Sequence, residues 1–415
     1  MKWSQYGRTT LALVASLALA LSVTACNPSF TLGFVYTLTA RTIPGVINAY
    51  TIDSVSGAIT QVANSPFPSG GQYPIASVVD GTNHWLYVVH EIDNTLVEFA
   101  IGTDGKLYQQ HTYNTPGTYP IALALDPQGK YLFVVDSFAP TFNNSGAVAP
   151  NINPIAANPP TYGCVAAYPI VAADGSLGVP IADPVSGQSC FPLNGQQAIQ
   201  GSQPIGVTVT ASTGFLYVAD QGMHTIYGFS LNDSNGVLTA LTSNNFPAGT
   251  QPSAIASDAV GHTVYVADQG ANEMLSYSVQ ATGALQPLGN PIASDHLPDS
   301  MDFDPSGQFL YVTNFNSNTV RTYTHDATTG ELTQPNGDLS YGTGTGPDCV
   351  SVESAYGRFV YVTNFLDNTV SGFELNPQTG ALVQILNSPR GTGVEPTCVS
   401  TAANATHPVA ANATP

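Results

Sequence analysis

The hydrophobic pattern of this chain is a short apolar run that returns at a nearly constant interval. One copy reads Tyr-Val-Ala-Asp at Tyr217–Asp220, and six near-copies occur elsewhere in the sequence. Most copies are separated by roughly 48 residues, within the period of about 40–50 residues expected when each repeat folds as a small β-sheet. The seven copies are Phe34–Thr37, Leu86–Val89, Leu132–Asp136, Tyr217–Asp220, Val264–Asp268, Leu310–Asn314 and Val360–Asn364.

Each apolar run is flanked by signals of further short strands. Upstream of six copies lies a proline followed by alternating small and large residues, as in Pro120–Leu125 and Pro204–Val209. Each unit is therefore predicted to hold four strands, A to D, with tight turns at A–B and C–D. We expect strand B, the Tyr-Val run, to be apolar on both faces because neighbouring units cover it from both sides. The C–D turns each end in a glycine, namely Gly57, Gly105, Gly175, Gly236, Gly283, Gly330 and Gly380.

The number of turns predicts how the repeats close. There are seven C–D turns but only six A–B turns, so the first unit lacks its own strand A. The C-terminal segment Pro396–Thr401 has the strand-A pattern and can supply it. The prediction is an all-β fold, a seven-bladed β-propeller over residues 34–401 closed by the C-terminal strand, with 402–415 as a disordered tail. The alternative is an open array of β-units.

The third unit is irregular. A Pro/Asn/Ala-rich insertion, residues 138–162, separates its strands B and C, and a loop of this length is usually functional or disordered. Cys164 and Cys190 flank strands C and D of this unit and are candidates for a disulfide that staples the insertion. Cys349 and Cys398 occupy the same position in two successive copies of strand A. They are candidates for a bridge that locks the ring, provided that their Cα atoms lie within about 7 Å.

The N-terminus has the order of a secretory signal. Lys2 and Arg8 precede a largely apolar run, Leu11–Ala25, which is too short to span a bilayer as a helix. The run ends at Cys26 in a Val-Thr-Ala-Cys sequence that resembles the lipobox of bacterial lipoproteins, whose cysteine is lipidated. We therefore expect a lipoprotein signal at 1–25, a tether at 26–33, and an exported protein of the cell envelope, periplasmic or on the outer membrane. An ordinary cleaved signal and an uncleaved anchor are the alternatives.

The charge balance excludes several partners. The chain carries 27 acidic and eight basic residues, for a net charge of −19, and without Lys2 and Arg8 the charge becomes −21. Such a chain does not bind nucleic acid by neutralising phosphates, nor an anionic membrane through a basic patch. Membrane contact is therefore expected through the lipid anchor only. An envelope protein or a glycan remains an open partner, and we expect a monomer.

Two motifs resemble a known family. Tyr-Val-Thr-Asn occurs at 311–314 and 361–364, and Asp-Pro-x-Gly turns occur at 126–129 and 304–307. These segments resemble the YVTN-type propeller repeats of bacterial surface proteins and the lactonase family of seven-bladed propellers, which includes 6-phosphogluconolactonase. The resemblance covers about residues 34–400. It implies an enzyme with His and Arg just after the strand-A proline, where they meet an anionic substrate.

At those positions this chain has no basic residue in any repeat. A phosphorylated lactone needs cationic donors to hold its phosphate, and the sequence does not provide them there. Two function classes stay open. The preferred one is a non-catalytic ligand- or protein-binding surface scaffold, and the alternative is a lactonase-like hydrolase in the envelope.

One polar constellation stands out. Five strand-B copies end in Asp or Asn, which places these side chains on one rim. Asp and Asn at a strand end usually hydrogen-bond the adjacent turn, and that is the first interpretation. The alternative is an oxygen-lined mouth suited to Ca²⁺, with Asp136, Asp220 and Asp268 as the metal ligands, or to a cationic ligand. The candidate ligand-binding residues are Asp136, Asp220, Asp268, Asn314 and Asn364, together with Asp299 and Asp348 beside two strand-A prolines.

Overall fold

A computed structural model describes residues 29–139, 162–193, 201–211, 214–335 and 339–405. The described residues form strands and turns and contain no helix. No helix within these ranges is therefore long and apolar enough to cross a bilayer. The predicted signal peptide, Cys26 and most of the insertion at 138–162 lie outside the described residues.

The strands group into seven sheets. The first two blades use β1 (Thr31–Thr39), β2 (Val46–Asp53), β3 (Ile59–Gln61), β4 (Phe67–Pro68), β5 (Pro74–Val79), β6 (Trp85–His90), β7 (Thr95–Ile101) and β8 (Leu107–Asn114). Blades 3 and 4 use β9 (Thr118–Leu125), β10 (Tyr131–Phe138), β11 (Cys164–Pro169), β12 (Phe191–Pro192), β13 (Pro204–Val209), β14 (Phe215–Asp220), β15 (Thr225–Leu231) and β16 (Leu238–Pro247).

Blades 5 and 6 use β17 (Pro252–Ser257), β18 (Thr263–Asp268), β19 (Glu273–Val279), β20 (Leu285–Pro287), β21 (Ile292–Ala293), β22 (Pro298–Phe303), β23 (Phe309–Asn314), β24 (Thr319–His325), β25 (Leu332–Thr333) and β26 (Ser340–Gly342). The last blade and the closing strand use β27 (Pro347–Val352), β28 (Phe359–Asn364), β29 (Thr369–Leu375), β30 (Leu382–Gln384), β31 (Arg390–Gly391) and β32 (Pro396–Ala403). This architecture confirms the predicted seven-bladed β-propeller.

The ring closes through the C-terminal strand, as predicted. β32 pairs antiparallel with β1, from Gly33 opposite Ala403 to Leu38 opposite Cys398. The first sheet therefore has the order β3-β2-β1-β32, with its innermost strand taken from the other end of the chain. This pairing covers the edge of β1 that would otherwise be exposed.

The core lies between the blades. The repeated Tyr of strand B is buried, and its hydroxyl donates a hydrogen bond to the carbonyl of the glycine in the next blade's C–D turn. The pairs are Tyr36 to Gly105, Tyr87 to Gly175, Tyr217 to Gly283, Tyr265 to Gly330, Tyr311 to Gly380 and Tyr361 to Gly57. The third blade has Phe133 at this position and makes no such bond. The last pair joins blade 7 to blade 1 across the closure.

The turn glycines also allow the blades to approach closely. Gly105 has a φ of 80°, and an added Cβ there would collide with the ring of Phe34 in the preceding blade. Likewise, an added Cβ at Gly380 would collide with the ring of Phe309 in the preceding blade. Glycine therefore recurs at this position because an aromatic or bulky side chain of the adjacent blade packs against the backbone.

The irregular third blade is stapled by a disulfide. Cys164 and Cys190 are bonded, with their Cα atoms 5.6 Å apart, which confirms that predicted pair. The backbone N–H of Ala139 donates to the carbonyl of Tyr162 at 2.9 Å, so the two ends of the insertion are held together.

Candidate functional site

The inner strands of all seven blades enclose a central cavity of about 730 Å³. Each inner strand carries a proline at or near its start, and the residue after that proline lies on the cavity wall. Around the ring, blades 2 to 4 place isoleucine there, whereas blades 5, 6, 7 and 1 place polar residues there. In this order the residues are Ile75, Ile121, Ile205, Ser253, Asp299, Asp348 and Thr397. The cavity wall is therefore apolar on one arc and polar on the other.

The polar arc is acidic. Burial raises the pKa of Asp299 to about 7 and that of Asp302, three residues further along β22, also to about 7. Burial likewise raises the pKa of Asp348 well above its usual range, and the nearby negative charge of Asp299 adds to that effect. Asp302 accepts a hydrogen bond from the backbone N–H of Val352 at 2.8 Å. The carboxyls of Asp299 and Asp302 therefore change charge near neutral pH.

One carboxylate oxygen on this wall lacks a partner. Oδ1 of Asp348 is buried and makes no hydrogen bond within the described residues. A buried acceptor without a donor costs about 1–3 kcal/mol, so a donor supplied by a ligand would be favourable there. Burial and then the negative charges of Glu91, Glu395 and Asp348 raise the pKa of the Tyr73 phenol.

No Lys, Arg or His lines the described cavity wall. Two of the basic side chains of the described residues pair with carboxylates elsewhere, Arg41 with Glu395 and Lys106 with Asp104. Arg321 is buried and bonded to Asp295 at 2.5 Å on strand β24, away from the channel. The cavity therefore offers carboxyls and hydroxyls, but no cation to hold an anionic group.

Two cysteines lie on the same wall. Cys349 on β27 and Cys398 on β32 both line the cavity and are free thiols. Their Sγ atoms are 3.2 Å apart, so the thiol of Cys349 donates a hydrogen bond to Cys398. The predicted bridge between them is thus not formed in this structure, although adjacent inner strands do bring the two sulfur atoms together.

The five rim residues predicted from strand B have a shared structural position. Each lies opposite the strand-A proline of its own blade, as Asp220 lies opposite Pro204 and Asp268 opposite Pro252. All five are buried. The same position holds Thr39 in blade 1 and His90 in blade 2, which the sequence analysis did not include. Aligning the residue opposite each proline would have found both.

These residues hold the loop that leads into strand A. Asp268 accepts hydrogen bonds from the backbone N–H groups of Thr250 and Gln251 at 2.6 and 2.8 Å. Burial alone would raise the pKa of Asp268, but these bonds outweigh it and lower that pKa. Asp220 accepts from the backbone N–H of Gln203 at 2.8 Å in the same way.

The two asparagines and the histidine make equivalent contacts. Asn364 accepts from the backbone N–H of Gly344 at 3.1 Å, and Asn314 accepts from the hydroxyl of Ser294 at 2.8 Å. His90 contacts the hydroxyl of Ser69 at 3.0 Å, and burial lowers the pKa of this imidazole to about 4. The rim residues therefore each bond to a loop of their own blade.

Asp136 differs because it lies beside the disulfide. Burial raises its pKa to about 7, and it accepts a hydrogen bond from the backbone N–H of Gly117 at 3.1 Å. Among the described residues, the one group of three potential metal ligands within 4.8 Å is Asp136, Cys164 and Cys190, and the two cysteines are bonded to each other. Asp136, Asp220 and Asp268 do not come together, so the predicted joint Ca²⁺ site is not formed.

The candidate site in the structure is therefore the central channel and not the strand-B rim that the sequence predicted. Of the predicted residues, only Asp299 and Asp348 belong to it, and each lies directly after a strand-A proline. Asp302 and the apolar arc were not predicted from the sequence. The signal that could have identified Asp302 is that its strand A contains a second aspartate, three residues after Asp299.

Comparison with known proteins agrees with this fold. Residues 239–352 match the family model described as a seven-bladed β-propeller lactonase. The comparison with curated proteins gave no significant match.

Several solved structures are similar over nearly the whole chain. The periplasmic gluconolactonase of Pseudomonas aeruginosa has 19% identity and a TM-score of 0.68, covering 90% of this chain and 99% of its own. A candidate 6-phosphogluconolactonase from Bacteroides fragilis has 18% identity and a TM-score of 0.67, covering 91% and 99%. Another from Bacteroides uniformis has 16% identity and a TM-score of 0.65, covering 89% and 99%. The matches support a lactonase-like seven-bladed propeller, and identities this low show the fold alone.

Proposed function

We propose that this protein is a lipid-anchored β-propeller of the cell envelope that binds a cationic ligand in its central channel without turning it over. The observation that carries the proposal is the charge of the channel wall. It presents Asp299, Asp302 and Asp348 and no basic side chain among its described residues. An ammonium group is the ligand chemistry that such a wall favours, whereas a phosphate is repelled.

The apolar and polar arcs of the channel wall further restrict which ligands can fit. The three isoleucines of blades 2 to 4 offer an apolar surface, and Asp348 offers a buried oxygen without a donor. An organic ammonium group with an apolar portion suits this combination. Lysine side chains of an envelope protein and amino sugars of a glycan both carry an ammonium group.

Two probes that share a hexyl chain and carry opposite charges test the proposal. The purified protein is titrated with a hexyltrimethylammonium salt and with heptanoate by calorimetry at pH 6 and pH 8. We expect the cation alone to bind, and to bind more tightly at pH 8 because Asp299 and Asp302 are then ionised. The Asp299→Asn/Asp348→Asn variant should bind at least about tenfold more weakly, since charge-assisted contacts contribute about 1.5–3 kcal/mol each.

A matched control separates the channel from the overall charge. Glu331→Gln/Glu374→Gln removes two carboxylates from the exposed periphery and should leave the affinity unchanged. Equal weakening in both variants, or preference for heptanoate, would show that the channel does not select cations.

A second candidate function is hydrolysis of an uncharged lactone. It is supported by the similarity to a periplasmic gluconolactonase and by two channel carboxyls, Asp299 and Asp302, with a pKa of about 7. A carboxyl with a pKa near the working pH suits a general base. An unphosphorylated lactone would also need no cationic phosphate site.

The test of this second function is turnover of δ-gluconolactone, followed by acid release against a heat-treated control. The binding proposal expects no turnover. Turnover that Asp299→Asn or Asp302→Asn abolishes, with binding of the ammonium probe absent, would favour the hydrolase instead.

The envelope location is part of the proposal and is supported by the N-terminal sequence ending at Cys26. Cys26→Ala should leave an unprocessed precursor or release the protein from the membrane fraction. Normal processing and unchanged fractionation of this variant would remove the lipid anchor from the proposal.

A further inference from the structure

The two free cysteines of the channel form a close pair. Cys349 lies on β27 of blade 7 and Cys398 on β32 of blade 1, and their sulfur atoms are 3.2 Å apart. The other described cysteines already form a disulfide, so the protein carries one oxidised and one reduced pair.

The reduced pair is open to small reagents, whereas the oxidised pair is not. Cys349 and Cys398 are half-buried and line the central cavity. Cys164 and Cys190 have exposed fractions of 0% and 1%. A small thiol reagent that enters the channel therefore reaches the reduced pair first.

The two thiols are chemically unequal. The hydrogen bond from Cys349 lowers the pKa of Cys398, and the same bond, with burial, raises the pKa of Cys349. The backbone N–H of Val399 also lies 3.2 Å from the sulfur of Cys349 and holds it against β32. Cys398 is thus the better thiolate, and Cys349 is placed beside it to act second.

We propose that Cys349 and Cys398 are a redox-active dithiol, which a disulfide-bonded oxidant entering the channel converts reversibly into an intramolecular disulfide between β27 and β32. The thiolate of Cys398 attacks one sulfur of the oxidant, whose S–S bond breaks and releases one thiolate. The sulfur of Cys349 then attacks Cys398, gives up its proton, and expels the second thiolate of the oxidant. Two protein thiols are oxidised and one oxidant disulfide is reduced to two thiols.

This reaction would join the blades at the ring closure. β32 is the strand taken from the C-terminal end, and its hydrogen bonds to β1 close the first sheet. The disulfide would add a covalent link between β32 and blade 7. Because it closes a long loop of chain, oxidation should raise the thermal midpoint by about 5 °C.

The experiment follows each sulfur by mass. The full chain is treated with oxidised glutathione, alkylated and digested, and the peptides containing the two cysteines are identified. We expect a cross-linked peptide between 349 and 398 and a higher thermal midpoint, both reversed by a mild phosphine reductant. Two alkylated thiols after this treatment, or a stable glutathione adduct on the parent chain, would overturn the proposal.

Single variants test the order of attack. Cys349→Ser should accumulate a glutathione adduct on Cys398, because the second thiol that resolves it is absent. Cys398→Ser should form an adduct on Cys349 at least tenfold more slowly. Equal rates for the two variants would contradict the assigned roles. Retention of the Cys164–Cys190 cross-link in every sample serves as the control for folding.

Discussion

The tyrosine hydroxyls between blades provide the sharpest test of how the repeats are held together. Tyr217 is fully buried, and its hydroxyl donates to the carbonyl of Gly283 in the next blade at 2.7 Å. Tyr217→Phe removes the donor and keeps the ring packing. The loss of the bond and the buried carbonyl left without a donor should together cost about 2 kcal/mol.

The expected change in melting temperature follows from the size of the domain. The strands run from Thr31 to Ala403. A domain of about 370 residues unfolds with an entropy of about 0.8 kcal/mol per kelvin, so about 2 kcal/mol corresponds to a fall of about 2.5 °C. Differential scanning calorimetry of Tyr217→Phe beside the parent chain measures this difference.

Two controls make the result specific. Tyr108 is 52% exposed, so Tyr108→Phe should change the midpoint by well under 1 °C. The double variant Tyr217→Phe/Tyr361→Phe removes two bonds at separate blade junctions, and its effects should add. A fall no larger for Tyr217→Phe than for Tyr108→Phe would refute the idea that these hydroxyls hold neighbouring blades together.

Three further predictions concern closure, pH and metal. Deletion of residues 394–415 removes the strand that pairs with β1, so aggregation or loss of the cooperative calorimetric transition is expected, and an unchanged melt would contradict closure. Asp136 has a pKa of about 7 when folded, above its unfolded value, so its contribution to stability is present below about pH 4 and is lost as pH rises towards 7. The folded pKa of His90 is about 4, below its unfolded value, so stability is lost as pH falls from about 6.5 to 4. The effects of Asp136 and His90 nearly cancel between about pH 4 and 6.5, but Asp299 and Asp302 also have a folded pKa of about 7, so the melting midpoint should fall as pH rises from about 4 to 7, and Asp136→Asn should make that fall shallower. Millimolar Ca²⁺ should shift the midpoint of neither the parent nor the variant with Asn at Asp136, Asp220 and Asp268, and a rise in the parent alone would restore the rim metal site.

Local sequence was sufficient for the fold because each blade is one repeat. The Tyr-Val run, the strand-A proline and the turn glycine each mark a strand or turn over a few residues, and counting turns revealed the missing first strand. The cysteine pair of the third blade followed from its flanking positions, and the structure confirmed Cys164–Cys190.

The candidate site was predicted only in part, because its residues meet across blades. The sequence placed Asp136, Asp220 and Asp268 on one rim, but each of these carboxylates bonds to a loop of its own blade. Asp299 and Asp348 were identified from their strand-A prolines. The acidic side of the cavity that they form exists only in the folded ring, where blades 5, 6, 7 and 1 are neighbours.

The sequence by itself determined the repeat, the number of blades and the closing strand, since these depend on periods and turns within each unit. The tertiary structure decided which side chains share a space. A closed ring brings residues that are far apart in the chain to one axis, as the hydroxyls of Ser77 and Ser400 meet at 2.8 Å on the cavity wall. Burial at that axis then raises the pKa of carboxyls whose neighbours in sequence give no sign of it.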